Sequence, residues 1–252
     1  LGRGTSPVIN ARPKDMDGDG DLDVVAASWG DSTIWVFENA AGTWKTHRVH
    51  HGEPVIIGFM MELDDLNGDG RIDIVSSSGP RFEHRDEIRW FEQPKTLGGS
   101  WDHHLIGSLD PDKATGLQLV DINDDGRKDL FAGGYSWEPW DHEPENPAPE
   151  DVSGRLAWFE APSDPTEPWT RHDVSRRRRG MFDLFQVVDL SNGGAGDGLP
   201  DILTTRGNSG HYDGVIWLEQ VRTAAPGPTF TAARSKDSPE LPLPRARVAS
   251  RR

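Results

Sequence analysis

Short apolar runs, broken by glycine, proline and aspartate, recur along the chain with no capped helical period between them. One set reads VVAAS at 24–28, IVSSS at 74–78, LFAGG at 130–134 and ILTTR at 202–206. A second reads IWVFE at 34–38, IRWFE at 88–92, LAWFE at 156–160 and VIWLE at 215–219. A Trp-x-x-His segment follows the first three of these: Trp44 with His47, Trp101 with His104, and Trp169 with His172. Runs at 55–63, 114–120 and 181–188 come earlier in their units. Their shortness, β-branched and aromatic content, and turn-forming borders predict strands.

Immediately before each run of the VVAAS type lies an acidic loop. DMDGDGDLD spans 15–23, DLNGDGRID spans 65–73 and DINDDGRKD spans 121–129. A fourth copy, DLSNGGAGDGLPD at 189–201, fits with four residues inserted. The loops start 50, 56 and 68 residues apart, a spacing that accommodates about four short strands. Each unit therefore reads strand A, acidic loop, strand B, variable loop, strand C, short turn, strand D. Such a unit predicts an all-β fold, a β-propeller of four-stranded antiparallel blades with about four blades present. The strand-C residues Trp90, Trp158 and Trp217, with Val36 in the first copy, are expected to pack between blades, as are the Trp and His of strand D. Histidines recurring at equivalent places read as structural. Pro13 sits where the first strand A should enter its loop, an apparent irregularity.

Carboxylates this crowded repel one another, so a folded loop holding them calls for a compensating cation. Calcium takes six to eight oxygens in a flexible arrangement, and glycines permit the tight turn. Side chains at positions 1, 3, 5 and 9 and the carbonyl of position 7 are the candidate ligands. These are Asp15, Asp17, Asp19, Asp21 and Asp23 in the first loop, and Asp65, Asn67, Asp69, Arg71 and Asp73 in the second. The third has Asp121, Asn123, Asp125, Arg127 and Asp129; the fourth has Asp189, Asp197, Leu199 and Asp201, with Ser191 or Asn192 as the third ligand. An EF-hand ends its loop with Glu at position 12, whereas that position holds Ala26, Ser76 and Ala132 here. The chain's formal charge of −15 favours a polyvalent cation and disfavours a nucleic-acid groove. With no cysteine, neither disulfides nor thiolate metal sites are possible. No apolar run reaches the length of a membrane span, and the N-terminus lacks both Met and a signal pattern.

The Asp-x-Asp/Asn-x-Asp-Gly-x-x-Asp loop followed by a β-run resembles the FG-GAP or VCBS repeat of integrin-α-like β-propellers, over roughly residues 5–220. The WFE strand followed by Trp-x-x-His is similar to blades of secreted or cell-surface microbial proteins and of aldos-2-ulose dehydratase-like enzymes. The resemblance implies calcium in the loops. It also implies seven blades, so four copies read as a fragment or incomplete propeller in preference to a closed four-blade ring.

Alternating strand direction puts the acidic loops and C–D turns on one face and the variable B–C and D–A loops on the other. Variable loops on a rigid scaffold are where ligands usually bind. That second face gathers His84, Asp86, Trp137, Trp140, His142, Arg177, His211 and Tyr212 as candidate ligand-binding residues. Aromatic planes with arginines suit a polar or anionic sugar. The SRRRRG run at 175–180 and the WEPWDHEPENPAPED insert also read as a solvated charge run and an exposed proline-rich loop. His84 and Asp86 have the spacing of a base and its orienting acid. After Gln220 the repeat stops; residues 221–252 carry five prolines and seven Lys/Arg against two acids, and read as one closing strand followed by a disordered tail. The expected function is a calcium-binding propeller module for extracellular carbohydrate or protein binding. The alternative is a carbohydrate-active lyase or dehydratase with its site opposite the calcium loops.

Overall fold

Each acidic loop joins two antiparallel strands; a third strand extends each pair and, in the first three sheets, a fourth follows. In the computed structural model, β1 (Val8–Lys14), β2 (Asp23–Ser28), β3 (Thr33–Ala40) and β4 (Thr43–His51) form one four-stranded sheet in chain order. The second sheet contains β5 (Met61–Asp64), β6 (Asp73–Ser77), β7 (Ile88–Glu92) and β8 (Asp102–Gly107). The third contains β9 (Lys113–Val120), β10 (Asp129–Tyr135), β11 (Leu156–Glu160) and β12 (Thr170–Ser175). The fourth has three strands: β13 (Phe185–Val188), β14 (Asp201–Arg206) and β15 (Gly214–Leu218). The structure describes residues 6–79, 86–109, 113–135, 156–175, 181–206 and 214–221. Among these, the only helix is α1 (Ser191–Gly194), one turn that absorbs the insertion in the fourth loop.

The sheets are the blades of a β-propeller, stacked in chain order. Val25, Ile34 and Val36 of the first blade share a core with Met61, Ile74 and Phe91 of the second. Val75, Ile88 and Trp90 of the second share one with Leu119, Leu130 and Phe159 of the third. Phe131 and Leu156 of the third meet Phe185, Ile202 and Ile216 of the fourth. Central strands buried on both sides explain the near-continuous apolar runs: every residue of β6 and β10 is buried. The first strands of successive blades also meet, with Arg12 Nη2 donating to Glu62 Oε1 at 3.0 Å and Gln118 Nε2 to Glu62 Oε2 at 3.4 Å.

Two expectations need correction. Strand A of the second blade is only β5, because residues 55–60 of the apolar run form a non-strand segment, buried at Ile56, Ile57 and Gly58. There Gly58 adopts φ +60° and a Cβ on it would lie 2.3 Å from the Ala27 Cβ, so the segment is shaped by close interblade contact. Pro13 is no obstacle to β1: it pairs with Val24 on an edge strand, the place in a sheet where proline is tolerated. The expected closing strand and tail lie outside the described residues, apart from Val221.

Of the strand-C and strand-D aromatics, Trp90, Trp101 and Trp169 pack between blades as expected, whereas Trp44 and Trp217 do not, being 42% and 44% exposed. Trp90 and Trp169 lie in one core, and both indoles donate to the Pro165 carbonyl, at 3.1 and 3.0 Å. Trp101 fills the joint between the first two blades. Trp90 stacks on His104 with ring centroids 4.5 Å apart, and Trp158 on His172 at 4.2 Å.

Candidate metal centres on the loop face

The loop backbone is wound on its own carboxylates. Asp15 accepts the Gly18 N–H at 2.8 Å and the Gly20 N–H at 3.0 Å, while Asp17 and Asp19 accept the N–H groups two residues on. The second loop repeats the ladder through Asp65, Asn67 and Asp69, and the third through Asp121, Asn123 and Asp125. In the fourth, Asp189 and Asp197 take the same parts. Glycines at positions 4 and 6 supply the left-handed conformations in the first two loops, as at Gly18 and Gly20 with φ +78° and +93°; in the third, position 4 is Asp124 at φ +63° and position 6 is Gly126. The chain thus turns tightly enough to draw alternate side chains together.

In the first loop the result is a cluster of like charge. Ligand atoms of Asp15, Asp17 and Asp19 lie within 4.8 Å of one another. Burial, with the charges of Asp19, Asp23 and Glu38, raises the Asp17 carboxyl above the usual range, against the pull of the Asp19 N–H. Lys45 senses Asp17 and Asp19, but its ammonium pairs with Glu38. Repulsion between such charges costs of order 1 kcal/mol per pair in water. Three hard oxygens converging with no cation paired to them among the described residues fit calcium, since each carboxylate oxygen retains lone pairs beyond its N–H bond.

The second and third loops carry their own cation. Arg71 pairs with Asp69 and Arg127 with Asp125, and their Nε groups donate to the Gln93 and Ala161 carbonyls at 2.8 and 2.9 Å. Asn67 and Asn123 replace the middle acid and donate to Asp69 and Asp125. Although partial burial opposes it, the Arg127 N–H, Asn123 and the Arg127 charge hold Asp125 below the usual carboxylate range.

The aspartate at position 9 has a further role. Asp23, Asp73, Asp129 and Asp201 are all buried. In each, one oxygen accepts the N–H of loop position 2 (Met16, Leu66, Ile122 or Leu190) at 2.8–3.0 Å. The other accepts an N–H at the end of strand C (Asn39) or just beyond it (Gln93, Ala161 or Gln220) at 2.8–2.9 Å. These residues clamp the loop to the neighbouring turn. Burial, reinforced by Asp69 and Asp65, pushes the Asp73 carboxyl up to about 7 despite two N–H bonds, and Asp129 is raised for the same reason. Around Asp201 burial also opposes the charge, but bonds from Gln220, Leu190, Trp217 and Ser191 outweigh it and lower the value. Ser191, expected as a third ligand, donates its hydroxyl to Asp201 at 3.1 Å.

A repeated glutamate escaped the sequence reading. Glu38, Glu92 and Glu160, the last residue of each WFE-type strand, pair with His47, His104 and His172. Glu92 and Glu160 also accept the amides of Asn67 and Asn123, at 3.2 and 3.4 Å, tying strand C to loop position 3. Its recurrence beside the histidines was the available signal.

Residues 65–132, from the second acidic loop through strand B of the third blade, match the family described as FG-GAP-like repeat. The match falls on the two blades whose loops share the Arg-compensated ladder. No curated protein matches the chain, and the narrower likeness to aldos-2-ulose dehydratase-like proteins rests on the WFE and Trp-x-x-His residues alone.

Of the residues expected on the opposite face, His84, Trp137, Trp140, His142, Arg177, His211 and Tyr212 lie outside the described residues. Asp86 is described, and its position departs from the open ligand face expected of it. It is buried, and accepts the Ser78 hydroxyl at 3.1 Å and the N–H groups of Leu109 and Ala114 at 2.6 and 2.9 Å. Its carboxylate pins the connection between the second and third blades, an occupation that competes with orienting a base at His84. Among the described residues, no helix is long and apolar enough to cross a membrane.

Proposed function

We propose that this chain is a calcium-binding β-propeller module that presents its variable loops to a carbohydrate or protein ligand outside the cell. The observation that carries the reading is the convergence of Asp15, Asp17 and Asp19 within 4.8 Å, with the neighbouring Lys45 held by Glu38. Asp15, Asp17 and Asp19 would hold the ion by their carboxylates; Asp65, Asn67 and Asp69, Asp121, Asn123 and Asp125, and Asp189 with Asp197 would do so in the other loops. Bound calcium supplies charge neutralisation there and performs no reaction step. The residues themselves shape the loop, through the N–H ladder and the buried position-9 clamp. A fold that relies on such ions suits the millimolar calcium of extracellular space.

Terbium luminescence sensitised by the chain's tryptophans tests the metal half: calcium should quench it competitively, and Asp17→Asn with Asp19→Asn should remove the tightest component. Unchanged luminescence in that double variant would overturn the assignment. For the ligand half, a glycan array that includes uronic-acid oligosaccharides, probed with and without calcium, should show calcium-dependent retention. Retention that persists undiminished in EGTA would separate ligand binding from the metal sites.

A further inference from the structure

The loop face carries a cavity at each of the first two interblade joints, and the two are furnished differently. The first, of about 540 Å³, lies between the loops at 15–23 and 65–73 and the turn after β7. The second, of about 300 Å³, occupies the equivalent place between the loops at 65–73 and 121–129 and the turn after β11. Their frame is the same: the arginine at loop position 7 donates from Nε to the carbonyl just past strand C, Arg71 to Gln93 and Arg127 to Ala161. Their side chains are not. Lys14 precedes the first acidic loop where Asp64 precedes the second, and Gln93 and Lys95 stand where the next blade has Ala161 and Ser163. Blades therefore join without this lysine pair and amide, which leaves them available for recognition. Lys14 and Lys95 line the first cavity and carry no ion pair among the described residues. Gln93 also lines it and is only 4% exposed; its Nε2 donates to the Met16 carbonyl at 2.8 Å, which fixes the amide, and its buried Oε1 has no donor among the described residues. Met16 and Leu97 belong to the core beneath, and Leu22, 61% exposed, adds an open apolar edge.

We propose that this first cavity binds an extended acidic peptide segment of a partner protein, one that sets an aliphatic side chain beside an aspartate or glutamate. Each feature of the cavity asks for one part of such a ligand. Two unpaired ammonium groups call for a carboxylate, an amide oxygen without a donor calls for an N–H, and the open edge at Leu22 calls for an apolar side chain. A peptide carries all three within two residues. Among the described residues no aromatic ring lines the cavity, so the flat surface on which a sugar ring stacks is missing. Asp15 and Asp17 line it too. Their charge confines the peptide's acid to the neighbourhood of the lysines, and calcium in the first loop would lessen their opposition to it. The site lies on the loop face, and the inference does not rest on a ligand at the variable loops.

Fluorescence anisotropy tests this with labelled hexapeptides titrated with the intact chain in millimolar calcium. A peptide with a central Leu-Asp pair should bind saturably, and peptides with Leu-Asn or Ala-Asp in its place should bind several-fold more weakly. Lys14→Gln and Lys95→Gln should each weaken the Leu-Asp peptide several-fold, and together abolish its binding with circular dichroism unchanged. Lys14→Arg with Lys95→Arg should retain it, and Lys128→Glu at the second joint should leave it unaltered. Absence of saturable binding by the Leu-Asp peptide would overturn the proposal, as would equal binding of the Leu-Asn peptide or undiminished binding to the double Gln variant. Displacement of the peptide by digalacturonate at equal concentration would also overturn it, by showing a site for sugar acids. Calcium uptake measured on the same samples keeps the two readings apart: a chain that takes up calcium and binds no peptide overturns this inference and leaves the metal centres standing.

Discussion

The loops at 15–23 and 65–73 share a backbone and differ in charge. Both wind the chain on a position-1 aspartate and anchor it with a buried position-9 aspartate. The first adds acids at positions 3 and 7, where the second has Asn67 and Arg71. In the second, the Arg71 guanidinium already sits on Asp69; in the first, Asp15, Asp17 and Asp19 face one another. Loop geometry is therefore set by hydrogen bonds and glycines, and the demand for an added cation by whatever charge is left over. On the calcium reading proposed above, the same repeat would hold sites of graded calcium dependence.

The strongest way to probe that difference is to remove the metal. A site filled at 100 times its Kd contributes about 2.7 kcal/mol, which for a chain of this size is roughly 5–10 °C in Tm. Scanning calorimetry in EGTA should show at least that fall, and Asp17→Asn should reduce it by making the first loop resemble the second. A comparable effect is expected at the position shared by both loops. Asp73→Ala orphans the Leu66 and Gln93 N–H groups and should cost about 2–4 kcal/mol in urea unfolding. Because the clamp acts without metal, the loss should persist in EGTA, which separates position 9 from a purely ligating role.

Asp183 supplies a control outside the loops. Its Oδ1 is buried without a hydrogen-bond partner, and burial, only partly offset by Thr115, raises its carboxyl to about 6. A raised acid stabilises the fold below its unfolded value near 3.8, and that contribution is lost as pH rises through about 6. Asp183→Asn should therefore raise stability by about 1–2 kcal/mol above pH 7. It should change little near pH 4 and leave the calcium response intact; pH-dependent urea midpoints would show this. The smallest effect is expected from Arg71→Ala, which frees Asp69 and should sharpen calcium dependence in the second loop at a cost below about 1 kcal/mol in the apo protein.

Much of this architecture was legible in the chain. The alternation of apolar runs and acidic loops identified the blades because a strand buried on both faces must be apolar throughout, as β6 and β10 are. The 55–60 segment misled because Ile56 and Ile57 are buried without being in a strand; composition reports burial and not hydrogen-bond pattern. The clamp at Asp23 and its counterparts was hidden because an aspartate that ligates and one that caps backbone N–H groups look alike in sequence. Asp86 misled for the same reason: beside His84 it reads as chemistry, yet its partners are Leu109 and Ala114, more than twenty residues away.

Isothermal titration of calcium into chelator-stripped protein tests the central claim most directly. The account predicts saturable binding whose tightest phase disappears in the Asp15→Asn, Asp19→Asn double variant while weaker phases remain. A stripped protein that takes up no calcium, or a double variant that binds it with the native isotherm, would contradict the assignment of these loops as metal centres.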